Sequence, residues 1–418
     1  LCSSRCRLRT DSISTTMNVS AGCHEAPVWI QRSLRAALHL PETPEMEEDN
    51  RSISLAFDAA DEYRPEAPLP PEIPAWKDGS IRIGIHTSIA GDISGALEIA
   101  HGLGANALQI FSSSPRMWDR GISRIAEADA TRFRDRRKEL GLGPLVIHCN
   151  YLINLASPNP VLRARSVQAF HGELVRAIAL GADFLVIHPG SSRDTTPQAA
   201  IASIAQGIRQ AARGLKLGEL IILLENTAGH GASVGSKFEE LRAILDLLRD
   251  HQVGICVDTA HTFAAGWDIR TAEGLDSALQ HIDATVGLKT VHVIHANDSK
   301  THHGSRVDRH EHIGKGKIGL DAFARILNHP QLAGRAFILE TPIDSPGDDK
   351  RNVAALWKLL GREFRVTGEG MRPRPHRAKS ATSRKKKAAK KRPRPKRKKS
   401  AKSASTKSKT AKSHKRGK

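Results

Sequence analysis

Long apolar runs are missing from this sequence. No stretch approaches the roughly 18 consecutive apolar residues that cross a bilayer, so a soluble protein with no membrane partner is expected. Cysteine is scarce: Cys2, Cys6, Cys23, Cys149 and Cys256 are the only five in 418 residues. An odd count, with two in the apparent core, argues against a disulfide framework and fits a reducing compartment. The spacing of Cys2, Cys6 and the Cys23-His24 pair matches no zinc-finger pattern, so these read as unpaired thiols. Residues 1–17 lack an apolar h-region and carry Asp11, so they do not read as a secretory signal. Acidic residues are absent from 371–418, a segment with 23 Lys and Arg.

That last absence accounts for the formal net charge of +20. Outside 371–418 the chain has 41 basic and 44 acidic residues, a net charge of −3. The basicity therefore belongs to a tail. Lys, Ala, Ser and Pro dominate it, and a like-charged block without large apolar residues cannot bury a core. Its natural partner is a polyanion, nucleic acid above all. The run KKKAAKKRPRPKRKK (385–399) reads as a nucleoid-binding tail in a bacterial cytoplasm, or as a nuclear localisation signal in a eukaryote.

Residues 1–80 also lack a core: 41–50 is acidic and 64–75 is Pro-rich. From Ile81 the pattern changes to short Ile/Val/Leu runs alternating with segments of helical period. The runs are 81–88, 107–111, 145–149, 184–188, 220–225, 253–258, 290–295 and 335–340. Helical stretches such as 92–103, 160–180, 196–216, 236–250 and 319–328 lie between them. Continuous apolar strands alternating with amphipathic helices mean parallel strands covered by helices. Eight such units predict an α/β fold of the (α/β)8 TIM-barrel type over 81–366, with a disordered N-terminal arm (1–80) and a disordered Lys/Arg-rich C-terminal tail (367–418). A doubly wound sheet would want a glycine-rich phosphate loop after its first strand, and the residues after His86 do not supply one.

In such a barrel the active site forms at the C-terminal strand ends. Here run after run ends in a metal-ligand type: His148, His188, Glu225, Asp258 with His261 three residues on, His295 and Glu340, with Asp308 and His310 in the loop after the seventh run. One histidine at a strand end is more often a hydrogen-bonded loop residue than a ligand. A carboxylate after four aliphatics, as at Glu225, is already unusual because burying it alone is costly. Six consecutive strands with a ligand type at the same end are not independent accidents. Imidazole mixed with carboxylate suits zinc best, with manganese and iron as the alternatives. Nine side chains exceed the four that one zinc takes, so two or three ions sharing a carboxylate are expected. Closely spaced ions serve phosphoryl chemistry.

The segments HCNYLINLASP (148–158), VIHPGS (186–191), LLENTAGHG (223–231), VDTAHTFAAGWD (257–268), HANDSKTHHGSRVDRHEHIGKG (295–316) and ILETP (338–342) resemble the signature blocks of the endonuclease IV family of abasic-site endonucleases. IGIHTSIAGD (83–92) and FSSSPRMW (111–118) resemble the same family's first two strand ends. The resemblance runs from about Ile81 to about Arg365 and implies three Zn2+ ions. His148, His188 and Glu225 would hold one. Glu225 would be shared with a second, joined by Asp258, His295 and Glu340. His261, Asp308 and His310 would hold the third. It implies base-excision repair on double-stranded DNA with abasic sites, by a monomer. The phosphodiester 5′ to the lesion would be cut, leaving a 3′-hydroxyl and a 5′-deoxyribose phosphate. Glu225 is the central catalytic residue in that scheme.

By the same resemblance Arg116 and Tyr151 would enter the DNA at the lesion, while Arg306 and Arg309, beside the third-site residues, could contact phosphates. Ser114, Ala260 and Trp267 depart from the family's usual residues, which puts fine substrate preference in doubt. His86 and His230 are expected to support the ligands; His292, His302, His303 and His312 are expected not to be ligands. Two other readings compete. A sugar isomerase or epimerase of the same barrel type would need one or two metals but not the Asp308-x-His310 pair or Arg116. A non-enzymatic DNA-binding protein would leave the ligand positions without a purpose.

The charge distribution generates a prediction. With a body near −3, long-range attraction to DNA rests on the tail, and each phosphate neutralised steepens the fall of log affinity with log salt by about 0.9. Deleting 371–418 is expected to flatten that slope and leave single-turnover cleavage at saturating enzyme nearly unchanged. A truncated protein with the full salt slope would assign the tail to targeting or to a protein partner instead.

Overall fold

A computed structural model of the chain describes residues 81–118 and 124–361. The arm 1–80 and the basic tail expected from the sequence lie outside the described residues. Eight parallel strands close into a barrel: β1 (Arg82–Thr87), β2 (Ala107–Phe111), β3 (Leu145–His148), β4 (Phe184–Ile187), β5 (Ile221–Glu225), β6 (Val253–Asp258), β7 (Val291–His295) and β10 (Ala336–Leu339). Each pairs with its sequence neighbour, and β10 closes onto β1. Between β7 and β10 a two-stranded antiparallel ribbon, β8 (Asp298–Ser299) and β9 (His310–Glu311), projects as part of a long loop. The helices are α1 (Gly95–Gly102), α2 (Glu127–Glu139), α3 (Pro160–Leu180), α4 (Pro197–Ala212), α5 (Phe238–Leu247), α6 (Thr259–Ala265), α7 (Ala272–Thr285), α8 (Leu320–Leu327) and α9 (Asp348–Leu359). Among the described residues no helix is long and apolar enough to cross a membrane.

Helix starts follow local chemistry. Asn159 accepts from the amides of Val161 and Leu162, with Pro160 at the first position of α3, and Thr196 accepts from Ala199 ahead of Pro197. Both place a side-chain acceptor on otherwise unpaired amides and a proline where no amide is needed. The strands follow from burial: β3, β4, β5, β7 and β10 are buried at every residue, as expected when helices cover the outside and side chains fill the inside.

One apolar cluster fills the barrel: Ala107, Val146, Phe184, Val186, Ile221, Leu223, Cys256, Val293, Ala336 and Ile338. A larger one joins the outer strand faces to the helices. At Gly84 an added Cβ would lie 2.3 Å from Ile338 Cδ1, so the interior has no room for a larger residue there. A register shift between Ile255 and Cys256 adjusts β6 against β7 so that Asp258 pairs with His295.

His292 lies at the opposite end of the barrel from the strand C-termini, beside Phe184 at 5.3 Å between rings. It is buried, neither ring nitrogen has a hydrogen-bond partner, and burial, with the charge of Arg335, pushes it down to about 4. Unfolded, it would titrate near 6.5. As pH falls from about 6.5 towards 4 the unfolded chain gains a proton that the folded one refuses, so stability is lost over that window, by at most about 3 kcal/mol. His292→Leu is expected to make Tm fall less steeply than wild type across it. Identical slopes in the two proteins would show that His292 is not the acid-sensitive group.

Candidate metal centre at the strand C-termini

Side chains alternate along a strand, so the residue two beyond each interior apolar position also faces inward. From Val146 that is His148, from Val186 His188, and from Leu223 Glu225. Cys256 leads to Asp258, Val293 to His295 and Ile338 to Glu340. From Gly84 and Ala107 it is His86 and Gln109. The top layer of the barrel interior is therefore polar on all eight strands. Above it lies an open cavity of about 420 Å³, whose lining includes Tyr151, Asp308 and His310.

Glu225 is central and has no exposed surface. Its Oε2 lies 3.2 Å from His148 Nε2 and 3.4 Å from His188 Nε2. Its Oε1 lies 3.1 Å from His295 Nδ1 and 3.3 Å from His261 Nδ1. Glu340 Oε2 is 3.2 Å from His295 Nδ1. Asp258 caps α6 by accepting from the His261 amide at 2.6 Å, which fixes the i, i+3 pair on one side of the helix start. Asp308, half exposed on the 299–319 loop, reaches His261 Nε2 at 3.2 Å and His310 Nε2 at 3.3 Å.

Burial disfavours charge on both central carboxyls. At Glu225 the charges of His188 and His295 and the hydrogen bonds of His148 and His261 outweigh it, and the group is held well below the carboxylate range. At Glu340 the same balance is struck by the charge of His295 and the hydrogen bond with His86. Asp308 is opposed by burial, but His261, then His310 and His188, bring it to about 2. Burial lowers His261 and His295, yet neighbours reverse this. Asp258 leads at His261; at His295 Cys256 leads, followed by Glu340 and Glu225, and both rings end well above 6.5. His148 is also raised, with Glu225 overcoming burial, whereas burial wins at His188 and His86. The site thus balances buried anions with protonated imidazoles.

The donor set fits divalent cations. Ligand atoms of His148, His188 and Glu225 lie within 4.8 Å of one another, as do those of Glu225, Asp258, His295 and Glu340. The third group so formed is Asp258, His261 and His310; the sequence reading put Asp308 in that place. Asp258 joins because its cap holds it directly beneath His261. His310 Nε2 is buried with carboxylate oxygens of Asp308 at 3.3 Å and Asp258 at 3.7 Å but makes no hydrogen bond to either, an arrangement that suits a shared cation better than a hydrogen-bonded pair. The rings are oriented as metal ligands are: Nδ1 of His148 donates to the Cys149 carbonyl (2.8 Å), that of His261 to Asn226 (2.9 Å), and that of His310 to Glu340 (3.2 Å).

Supporting residues that the sequence reading missed are amides. Gln109 accepts from His295 Nε2 at 2.9 Å and donates to Glu340 at 2.5 Å and to His86 at 3.0 Å. Asn297 donates to Asp258 at 2.6 Å and accepts from the Glu340 amide at 2.8 Å. Asn226 accepts from the Asp258 amide at 2.7 Å. Glu311, His312 and Asp344 also approach one another. There, however, Asn352 donates to His312 Nδ1 while its own Oδ1 accepts from Ile313. His312 therefore keeps its proton on Nε2, towards Asp344, and is a hydrogen-bonding residue.

At the rim, Arg116 is exposed and Tyr151 packs its ring against Phe111 at 5.2 Å and His148 at 5.9 Å. Asn150 ties their loops together by donating to the carbonyls of Ser114 (2.9 Å) and Met117 (2.8 Å), and the Tyr151 amide donates to Pro115 (3.3 Å). Beneath the first loop the buried pair Glu173–Arg176, 3.2 Å apart, engages Ser112. Arg306 and Arg309 are exposed on the 299–319 loop. His230 lines an adjoining cavity of about 300 Å³ that shares His188, His261 and Asp308 with the centre.

A family described as xylose isomerase-like TIM barrels matches residues 97–360. A protein named probable endonuclease 4 from Solibacter usitatus is 53% identical over 287 residues, covering 67% of this chain and 97% of that one. Another of that name from Chloroflexus aurantiacus is 42% identical over 282 residues, covering 67% and 98%. Among solved structures, endonuclease IV from Thermus thermophilus is 39% identical, covers 67% of this chain and 99% of that one, and superimposes with a TM-score of 0.60.

Raised histidines imply competition between protons and metal. His261 and His295, both raised well above 6.5, hold protons at neutral pH when no cation is bound, and a cation must displace them; His148 is raised in the same direction. Metal binding near pH 7 is expected to release more than one proton per protein, measured by calorimetry in buffers of differing ionisation enthalpy. Affinity should therefore rise with pH. Binding without proton release would contradict this charge assignment.

Proposed function

This chain belongs to the endonuclease IV family of DNA-cleaving hydrolases, and on that premise we propose that it is a zinc-dependent repair nuclease acting at abasic sites in duplex DNA. It cuts the phosphodiester 5′ to the lesion and leaves a 3′-hydroxyl and a 5′-deoxyribose phosphate. The observation that carries the reading is the buried Glu225 carboxylate, whose two oxygens face different histidine pairs. One carboxylate shared in this way suits two cations better than one.

Three Zn2+ ions would fit. His148, His188 and Glu225 would hold one; Glu225, Asp258, His295 and Glu340 would hold the next; His261 and His310, with Asp308 and Asp258 beside them, would hold the third. When bound, zinc lowers the pKa of a water and offsets negative charge on phosphoryl oxygens. The protein's own residues do the rest. Glu225 and Glu340, both held well below the usual carboxylate range, keep negative charge beneath the open cavity. Gln109 and Asn297 hold Glu340, Asp258 and His295 in one orientation. Arg116 and Tyr151 stand at the rim on loops fixed to each other, where they fill the gap left by a missing base and hold the backbone over the site. Arg306 and Arg309 offer charge to flanking phosphates.

Incubation with a duplex carrying one abasic site is expected to give a single incision that a zinc-stripping chelator abolishes. An undamaged duplex should remain uncut. No incision, with aldose–ketose interconversion instead, would favour the sugar-isomerase reading. Changing an outer partner of a metal ligand costs about 10–100-fold, so Glu225→Gln should lower single-turnover cleavage by more than about 100-fold. Its metal content should fall as well, and near-normal cleavage would sink the assignment. Arg116→Ala is expected to weaken binding to the abasic duplex about tenfold more than to undamaged duplex, roughly 1.4 kcal/mol. Equal losses would make Arg116 an ordinary phosphate contact.

A further inference from the structure

After β7 the chain leaves the barrel wall, and the 299–319 segment carries Asp308, His310, Arg306 and Arg309 before α8 begins. Both ends of this segment are gathered on one carboxylate outside every ligand group. Asp298 is fully buried. Its Oδ1 accepts from the amides of Ser299 (2.8 Å) and Ile318 (2.9 Å). Its Oδ2 accepts from Gly314 (2.9 Å), Gly316 (3.0 Å) and Gly319 (3.3 Å). Five main-chain donors from both ends of the loop thus converge on one side chain.

The loop is shaped for that contact. Gly314 and Gly319 take positive φ, 78° and 85°. A Cβ at Gly316 would lie 2.3 Å from Asp298 Oδ1 and 2.5 Å from the Ser299 carbonyl, so only glycine can bring its amide in. Asp298 also sets the ribbon register: it pairs with Glu311, and Ser299 pairs with His310. Lys300 donates to Arg309 (2.9 Å) and Lys317 to Ser299 (2.7 Å). At the tip, Gly304 and Arg306 donate to Phe263 and Ala264 of α6, the helix that begins with Asp258 as its cap and carries His261.

A buried carboxylate without partners is strongly unfavourable, and hydrogen bonds to a charged acceptor are about twice as strong as neutral ones. Burying Asp298 and closing the loop are therefore one event. The geometry points to Asp298 as a positioning residue that closes the 299–319 loop and thereby assembles the third cation site, while leaving the sites on the barrel wall alone. The inference rests on the three-centre reading above. His148, His188, Glu225, His295 and Glu340 sit on or at the ends of barrel strands, so they do not depend on the loop; His310 does, through the ribbon, and so does Asp308.

The test uses full-length protein loaded with zinc, and two variants that disturb the same contact differently. Asp298→Asn keeps the size but replaces an acceptor oxygen with an NH2 group facing two or three amides. Gly316→Ala keeps the carboxylate and pushes the loop off it. Metal content by mass spectrometry and chelator competition should show three ions in wild type. In each variant two should be retained and one weakened, by about 10–100-fold as for other outer partners of ligands. Amides 314–319 should exchange hydrogen faster, with the Tm of the metal-free protein little changed. Asp298→Asn added to a variant that already carries both Asp308→Ala and His310→Ala should cause no further loss of metal. Wild-type binding of all three ions in both variants overturns the inference by itself. Loss of all ions together with a collapsed Tm in both variants also overturns it, since Asp298 would then be a general fold determinant. Fewer than three ions in wild type overturns the three-centre reading and this inference with it.

Discussion

A carboxylate without exposed surface in the middle of a β-barrel cannot remain ionised unless its surroundings supply opposite charge and hydrogen-bond donors. Glu225 is in that position, and the top of the barrel is arranged to meet its needs. Four imidazoles from β3, the β4 end, the start of α6 and β7 turn a nitrogen towards its two oxygens. The raised rings of His261 and His295 offset its charge, so residues that would hold cations are also those that keep this carboxylate ionised.

Holding so many ligands rigidly takes a framework that is neither ligand nor core. Backbone carbonyls of Cys149, Asn226 and Glu340 fix three of the rings. Gln109 reaches past β1 to Glu340 and His295, and Asn297 joins Asp258 to Glu340. Outside the barrel wall, Asn150 couples the two loops that bear Arg116 and Tyr151, and Asp298 gathers the long loop that bears Asp308 and His310. The barrel tolerates such irregular connections next to the chemistry because each is tied by buried hydrogen bonds, which lose most when left unpaired.

Much of this was legible in the sequence because two simple periods carry it. Eight apolar runs separated by helical stretches specify the barrel, and the strands found depart from those runs by a residue or two at their ends. Ligand types recurring at run ends specify the mouth, since a period of two turns His148, Glu225, Asp258 and His295 inward together. The rest depends on tertiary placement. Gln109 holds the same i+2 position from Ala107 as the ligands do from their own apolar neighbours, yet an amide carries no metal signature and reads as an ordinary polar residue. Glu173 and Arg176 look like a surface i, i+3 pair, and only packing of α3 against the Ser112 loop buries them. Asp258 meets His261 and His310 because it caps a short helix, α6, that the apolar runs did not announce. The five donors to Asp298 come from residues up to 21 positions away, beyond any local pattern.

The most direct measurement is anomalous X-ray diffraction at the zinc edge from crystals of the purified protein. Three peaks are expected: one among His148, His188 and Glu225, one among Glu225, Asp258, His295 and Glu340, and one beside His261, His310 and Asp308. A single peak, no peak beside Glu225, or occupancy only at Glu311, His312 and Asp344 would contradict the shared-carboxylate centre.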